Sequence, residues 1–537
     1  MPNGQALVMN KNIKVLIGVV IVVAGYLIWE NVFNVFHGDP AGGNSSISGE
    51  SLQPAGQSPQ TDEPQLPKVG ELGPLALFEG WSDPLGVMVF TGRQNGYVEP
   101  CGCTGLDHQK GGLARRHTFL TGLTDRGWPV AGIDIGNQVR RFGRQPELKF
   151  NLTAQLLELM GYQAVAFGPN DLKLPAGELF AVSAVDQQGK SIFVSANAAV
   201  LDRSVLPRLN IIELGGKTIG VTSLLADQWT AQNFSEDLVL ESVEQGLQQT
   251  LQEVKRADCD INVLLIHDSL SDSRILAKKF PQFDFVVSAG SGGEPPHEME
   301  TIKGGTTRFV EVGVKGMYAT VVGLFADEKG TLSFRYQRVS LDASYKDSPQ
   351  VMSYFKQYQE ELQRAGLSGL GIKSQPHQSG HTFIGSKMCA ECHQEAFDIW
   401  HDSAHAQATH SLITPPERSE ITRQYDPECL SCHTTGWQPQ GYTPFSSGFK
   451  SMAATQHLAG SGCENCHGPG SEHVRLERLD LLDDVADAGK LLNARQSMQL
   501  SIATAKEHQC TTCHDLDNSP DFHDEGAFEL YWDQIKH

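Results

Sequence analysis

Positive charge is scarce in this 537-residue sequence: 42 lysines and arginines stand against 63 aspartates and glutamates, a formal net charge of −21. That balance excludes nucleic acid as an expected partner, disfavours anionic membrane surfaces, and points to partners with basic docking surfaces. Cysteine is nearly absent from the first two thirds. Of 11 cysteines, only Cys101, Cys103 and Cys259 precede residue 380, so the chain is not a small disulfide scaffold. Residues 37–73 have almost no aromatic or β-branched side chains; they cannot bury enough apolar surface to fold, and read as a flexible linker. The length itself is too great for one core and implies two or three domains.

The remaining cysteines are concentrated in residues 389–514, where C-x-x-C-H occurs four times: Cys389-Ala-Glu-Cys392-His393, Cys429-Leu-Ser-Cys432-His433, Cys463-Glu-Asn-Cys466-His467 and Cys510-Thr-Thr-Cys513-His514. Two thiols at this spacing reach the two vinyl groups of one porphyrin, and the adjacent imidazole falls under the iron. A zinc site needs only four ligands and no histidine after every second cysteine. The motifs therefore predict four covalently bound haem c groups, with His393, His433, His467 and His514 as proximal ligands. Four macrocycles within residues 381–537 would supply most of that segment's core, leave little regular structure beyond short helices, and stand close enough for electron hopping.

Near the start, residues 15–29 are uncharged, with Lys11 and Lys14 before them and a semi-apolar stretch running on to Phe36. Read as a retained anchor, residues 13–36 cross the inner (cytoplasmic) membrane once. Residues 1–12 then stay in the cytoplasm, and the bulk of the chain lies in the periplasm or otherwise outside the cytoplasm. A cleaved signal peptide is the competing reading, although no persuasive small-x-small site follows the run.

Residues 74–348 alternate short β-rich runs (87–91, 130–135, 164–167, 191–195, 218–222, 261–267 and 283–287) with helical patterns, which predicts an α/β domain around a buried sheet. Leu152, Leu156, Leu159 and Met160 predict a crossover helix ended by Gly161. Residues 349–380 form a helix and linker: Asp347 or Ser348 caps, Pro349 sits in the first turn, and Val351, Phe355, Tyr358 and Leu362 share one face before Gly366.

"GGLARRHTFL" (111–120), "DIGN" (134–137), "MGYQAVAFGPNDL" (160–172) and the strand ending at His267 follow the motif order of the 5′-nucleotidase family, whose metal-dependent phosphatase domain they resemble. The resemblance implies a nucleotidase-like α/β sandwich whose metal ligands are mostly replaced. "TGRQNG" (91–96) stands for Asp-x-His, Asn137 for the bridging aspartate, Pro169-Asn170-Asp171 for Asn-His-Glu, and "SAGSGGEP" (288–295) contains no histidine. Asp134 and His267 remain. Two-metal hydrolysis needs both cations clamped, so no second metal and no phosphatase activity are expected here. In "EPCGC" (99–103), Cys101 and Cys103 read as a structural disulfide or thiol pair, as a redox pair, or as two thiolates for a soft metal. The loop resembles a variant branch of nucleotidase-like proteins, some carrying selenocysteine there, which hints at redox use. His108 and His117 read as surface and packing residues, and Cys259 as a buried small residue.

"CAECHQEAFDIWHDSAHAQA" (389–408), "CLSCHTTGW" with Gly441 and Tyr442 beyond it, "GSGCENCHGPGSEH" (460–473) and the last motif resemble the tetrahaem cytochrome c family that takes electrons from hydroxylamine oxidoreductase. The resemblance implies that His405 crosses to the third iron, that His473 ligates the first, and that the second has no distal protein ligand. At the carboxyl end Phe528, Tyr531, Trp532 and Ile535 predict a final amphipathic helix that carries His537 to the fourth iron. His523, among Asp521, Asp524 and Glu525, is the alternative. His401 shares a helix face with His405 and is its substitute; His381, His410, His457 and His508 are weaker candidates. Met388, Met452 and Met498 would instead give Met/His haems.

The sequence thus reads as a membrane-tethered, periplasmic tetrahaem c-type cytochrome fused to a degenerate nucleotidase-like domain. It would move electrons between membrane-bound or periplasmic redox proteins in a respiratory or photosynthetic chain. Two other classes stand beside this: an enzyme that reduces a small nitrogen or sulfur oxyanion at an open haem or uses Cys101 and Cys103, and a structural electron-wiring subunit of a larger membrane complex. If the anchor is retained, washing native membranes in high salt leaves the protein bound; a mature amino terminus beyond residue 36 would reject it.

Overall fold

The computed structural model describes residues 77–100, 109–185, 190–232, 234–415, 419–482 and 487–537. The expected anchor at 13–36, the linker at 37–73, and Cys101, Cys103 and His108 lie outside the described residues. Among the described residues, no helix is long and apolar enough to cross a membrane. Leu72–His537 forms one compact unit.

Thirteen strands build the α/β part: β1 (Gly86–Thr91), β2 (Val130–Asp134), β3 (Tyr162–Val165), β4 (Ala198–Val200), β5 (Asn210–Leu214), β6 (Lys217–Leu225), β7 (Leu238–Leu240), β8 (Ile261–His267), β9 (Phe285–Ser288), β10 (Glu300–Thr301), β11 (Arg308–Glu311), β12 (Tyr318–Ala326) and β13 (Leu332–Ser340). One sheet has the order β13-β12-β1-β2-β3 and the other β10-β11-β9-β8-β6-β5. Parallel pairing joins β1 to β2, β2 to β3, β6 to β8 and β8 to β9. Such strands are covered on both faces and read as continuous apolar runs. In β1, Val87 and Val89 face one core while Met88 and Phe90 face another, with none more than 1% exposed.

The sheets pack face to face through Met88, Phe90, Ile133 and Val322 on one side and Val221, Val263, Phe285 and Val310 on the other. Helices Leu113–Thr124 and Arg144–Leu159 cover the outside of the first sheet, and Val243–Ala257 and Leu270–Lys279 that of the second. The result is a helix, sheet, sheet, helix sandwich in which the carboxyl ends of β1 and β2 open on one rim.

The structure differs from the strand pattern read from sequence at several places, and β4, β5, β7, β10 and β11 lie outside every run read as a strand. Residues 191–195 make only an isolated bridge, Val165 to Phe193. There the local backbone bonds to side chains: Ser191 Oγ accepts the Phe193 N–H at 3.0 Å, Asn210 Nδ2 donates to the Ser191 carbonyl at 2.9 Å, and Ser223 Oγ donates to the Val194 carbonyl at 2.7 Å. Side-chain capture of this kind competes with a ladder. The expected strand at 164–167 starts two residues earlier, at Tyr162. The long β12–β13 pair was not anticipated, because polar residues interrupt β13 on its exposed face: Ser333 and Arg335 alternate with Leu332, Phe334 and Tyr336.

Helix Pro349–Gly369 starts at Ser348, whose Oγ accepts the Val351 N–H, and bends at Gly366, where φ is 56°. It therefore runs into the expected linker. Its Val351, Phe355, Tyr358 and Leu362 pack on Leu113, Leu152 and Leu156 of the sandwich, while Ile421 and Tyr425 close on the same cluster from the cytochrome-like segment. That segment has short helices and three small apolar clusters, built around Trp437, Leu476 and Phe522.

Candidate functional site

Each C-x-x-C-H lies on or beside a helical turn. Cys429, Cys432 and His433 share helix Pro427–His433, capped by Asp426, whose Oδ1 accepts the Glu428 N–H at 2.9 Å; the third motif is itself helix Cys463–His467. In the first and fourth motifs the histidine N–H donates to the first cysteine's carbonyl, at 2.8 Å in both. Positions i, i+3 and i+4 of such a turn lie on one side, so the thiols and the imidazole converge. Thiols also meet across motifs: Cys389 with Cys463, and Cys432 with Cys513, are within hydrogen-bond reach. The first motif is thus beside the third, and the second beside the fourth.

The rings are oriented from behind. His433 Nδ1 donates to the Ala408 carbonyl at 2.8 Å and His467 Nδ1 to the Met498 carbonyl at 2.7 Å, while His514 Nδ1 lies 3.0 Å from Ser519 Oγ. A proton held at Nδ1 leaves Nε2 as a lone-pair donor for a metal. Burial lowers the pKa of His467 and brings that of His514 down to about 4, which keeps both rings in the neutral form.

Three further histidines face motif histidines. Ring centroids are 6.3 Å apart for His393 and His473, 6.1 Å for His405 and His514, and 5.8 Å for His467 and His537. An imidazole–metal bond is about 2 Å and the ring centre lies about 1 Å behind its nitrogen, so two imidazoles on opposite sides of one iron have centres about 6 Å apart. His473 Nδ1, moreover, is buried without a hydrogen-bond partner. The donor set therefore fits covalent haem c.

The pairing departs from expectation in one respect. The family resemblance puts His405 over the third motif and the tail pattern puts His537 over the fourth; the structure exchanges them. The final helix, Ala527–Asp533, does pack beside His514, with Tyr531 5.4 Å from its ring, but the chain then turns past it and delivers His537 to His467. His523 uses Nε2 on the His514 carbonyl at 2.8 Å. His401, His410, His457 and His508 are exposed.

Sequence reasoning missed Glu464, inside the third motif. It is 2% exposed and accepts N–H groups from Ile384 and Gly385, just before the first motif, and from Gly470, just before the helix of His473. One carboxylate thus ties two motifs and a facing histidine together. The signal was an acidic residue at a motif position whose identity the thioether chemistry leaves open. Gly460 has a similar local role: its φ is 85°, and a Cβ there would meet the carbonyl oxygens of Ala406 and His405 at 2.9 and 3.0 Å.

At the rim of the sandwich, Asp134 and His267, the two positions where the sequence resemblance keeps a metal-ligand type, are otherwise engaged. Asp134 is fully buried; Thr91 Oγ1, Gln138 Nε2 and the Gly136 N–H donate to it at 2.6 to 2.8 Å, and Arg116 Nη1 stands 3.5 Å away. A guanidinium thus supplies the positive charge beside this carboxylate. His267 is bonded to the Ile135 carbonyl, and burial lowers its pKa to about 4. Arg93 reaches the Ser291 carbonyl in the loop that carries no histidine. Asp171 accepts backbone N–H groups from Asn137, Gln138, Val139 and Gly168 and so pins the two loops. Among the described residues no three His, Cys, Asp or Glu side chains converge as a metal site. His117 packs, with Nδ1 2.7 Å from Ser348 Oγ, and Cys259, expected buried, is half-buried.

Comparison with known proteins treats the two halves separately. The family described as Cytochrome c554 and c-prime matches residues 388–468. Cytochrome c-554 of Nitrosomonas europaea is 28% identical over 142 residues, 25% of this chain, which spans 57% of that relative's length. The C-terminal part is therefore similar to a c-type cytochrome carrying covalent haem. The α/β part is similar in structure to a 5′-nucleotidase precursor from Thermus thermophilus, with 16% identity, TM-score 0.44, and coverage of 52% of this chain and 59% of that one. It is also similar to the sulfate thiohydrolase SoxB of the same organism, with 15% identity, TM-score 0.43, and coverage of 53% and 62%.

Two outcomes follow from this geometry. Arg116→Met strands a buried carboxylate and is expected to cost about 3–5 kcal/mol, read as a lower thermal midpoint of the sandwich; adding Asp134→Asn should recover much of the loss. His537→Ala should convert one low-spin haem to high-spin in the electron paramagnetic resonance spectrum of the oxidised protein, and the further change His467→Ala should perturb that same centre rather than a second one.

Proposed function

We propose that this chain is a tetrahaem c-type cytochrome that carries electrons between redox partners, held at the membrane by its amino-terminal segment, with the α/β part serving as a scaffold. The observation that carries the reading is the three imidazole pairs, each joining a C-x-x-C-H histidine to a histidine remote from it in sequence, at 5.8 to 6.3 Å. Covalent haem c supplies a one-electron iron couple at each motif. The protein's part is then to hold ligands still. His473 with His393, His405 with His514 and His537 with His467 would each hold one haem iron between two imidazoles, an arrangement that would leave no room for a substrate at those irons and suits transfer over turnover. The contacts of Cys389 with Cys463 and of Cys432 with Cys513 keep neighbouring centres close.

The sandwich contributes position and charge rather than hydrolysis, because Arg116 stands against Asp134 and His267 is spent on a carbonyl. The net charge of −21 favours basic partners. The test is composition and turnover together: four irons and four haems per chain, reversible reduction by a small electron donor, and no manganese- or zinc-dependent nucleotide hydrolysis. Fewer than four haems, or hydrolysis abolished by changing Asp134, would overturn the reading.

A further inference from the structure

The sandwich and the cytochrome-like segment meet along a seam of paired charges, and its centre touches the second C-x-x-C-H. Lys149, on helix Arg144–Leu159, has a side chain only 9% exposed, and its Nζ donates to Glu428 Oε2 at 2.8 Å. Glu428 is bonded through its peptide to Cys429, and Arg141 lies 3.6 Å from its other carboxylate oxygen. Asp426, the cap of the same motif helix, accepts Gln145 Nε2 at 2.7 Å. To one side, Arg423 grips Glu99, with Nε to Oε2 at 2.8 Å, and lies over the Phe355 ring. To the other, Lys315 reaches Asp517 at 2.6 Å and Arg140 joins the same carboxylate, three residues beyond His514. A cavity of about 120 Å³ follows the seam between Tyr97, Lys149, Tyr358 and Tyr442.

Apart from Arg423 and Glu99, where the signs are reversed, the distribution is asymmetric. Arg140, Arg141, Lys149 and Lys315 come from the sandwich, and Asp426, Glu428 and Asp517 from the cytochrome-like segment. Lys149 is the most deeply buried of these cations and lies nearer than Arg141 to Glu428, the residue that precedes Cys429. A fixed positive charge in a poorly solvated position acts over several ångströms with little screening.

We propose that Lys149 is a positioning residue that sets the potential of the centre at Cys429 to His433: its buried charge disfavours the more positive oxidised iron and raises the midpoint of that one-electron couple above the value the cytochrome-like segment alone would give. The α/β part is then retained as an electrostatic wall for one centre of the chain. This rests on the reading of residues 429–433 as a haem site.

The experiment is a spectroelectrochemical titration of the full-length holoprotein, with haem counted in each variant. Lys149→Met should lower one of the four midpoints, with at least a tenfold fall in its reduction constant, about 59 mV for one electron, and leave the other three in place. Lys149→Arg should keep the wild-type value. Glu428→Gln, which removes the opposing carboxylate, should move the same midpoint upward and carries the test if Lys149→Met does not fold. Four unmoved midpoints in a fully loaded Lys149→Met protein, or an unmoved or lowered midpoint in Glu428→Gln, would overturn the proposal. Three haems rather than four would instead remove the site assignment beneath it.

Discussion

The cytochrome-like segment depends on holding imidazoles in facing pairs, 5.8 to 6.3 Å apart, a separation that has room for one metal between them. Much of the local architecture follows from this. Glu464 fixes the chain before Cys389 and the start of the His473 helix from a single buried carboxylate, and Gly460 lets the His405 loop approach the third motif. The terminal helix packs Phe528 and Tyr531 around Phe522 and so sets where the last residue ends. Aliphatic packing is thin here, with Leu476, Leu491 and Ala494 forming one whole cluster, whereas a single core of the sandwich spans two sheets. A segment with so few aliphatic contacts needs its covalently attached groups to complete the interior.

The sandwich solves a different problem. Its rim holds carboxylates out of water, and each must be satisfied by a charge or by hydrogen-bond donors. Arg116 does this for Asp134, four backbone N–H groups do it for Asp171, and the Arg93 side chain closes on Ser291. The basic residues of the same rim, Arg140, Arg141 and Lys149, are matched to acidic residues beside the second and fourth motifs. These pairs form part of the contact between the two halves.

Several features were legible from local pattern alone. The helix over 349–369 announced itself through Ser348, Pro349 and the spacing of Val351, Phe355, Tyr358 and Leu362, because capping and helical periodicity are short-range effects. Strand β8 ends at His267 as its apolar run does. Residues 191–195 misled for the converse reason: an apolar run specifies burial, but Ser191, Asn210 and Ser223 take up the backbone bonds, and periodicity does not register that.

By itself the sequence determined the C-x-x-C-H turns and the alternation that makes the sandwich, since each is written in residues a few positions apart. Only the tertiary structure decided that His405 faces His514 while His537 faces His467, that Glu464 ties two motifs together, and that Lys149 reaches Glu428 across 279 positions. These contacts join residues whose separation along the chain carries no information about distance. They are set by how short helices pack around rigid groups and by which buried charge finds a partner, and both are properties of the folded whole.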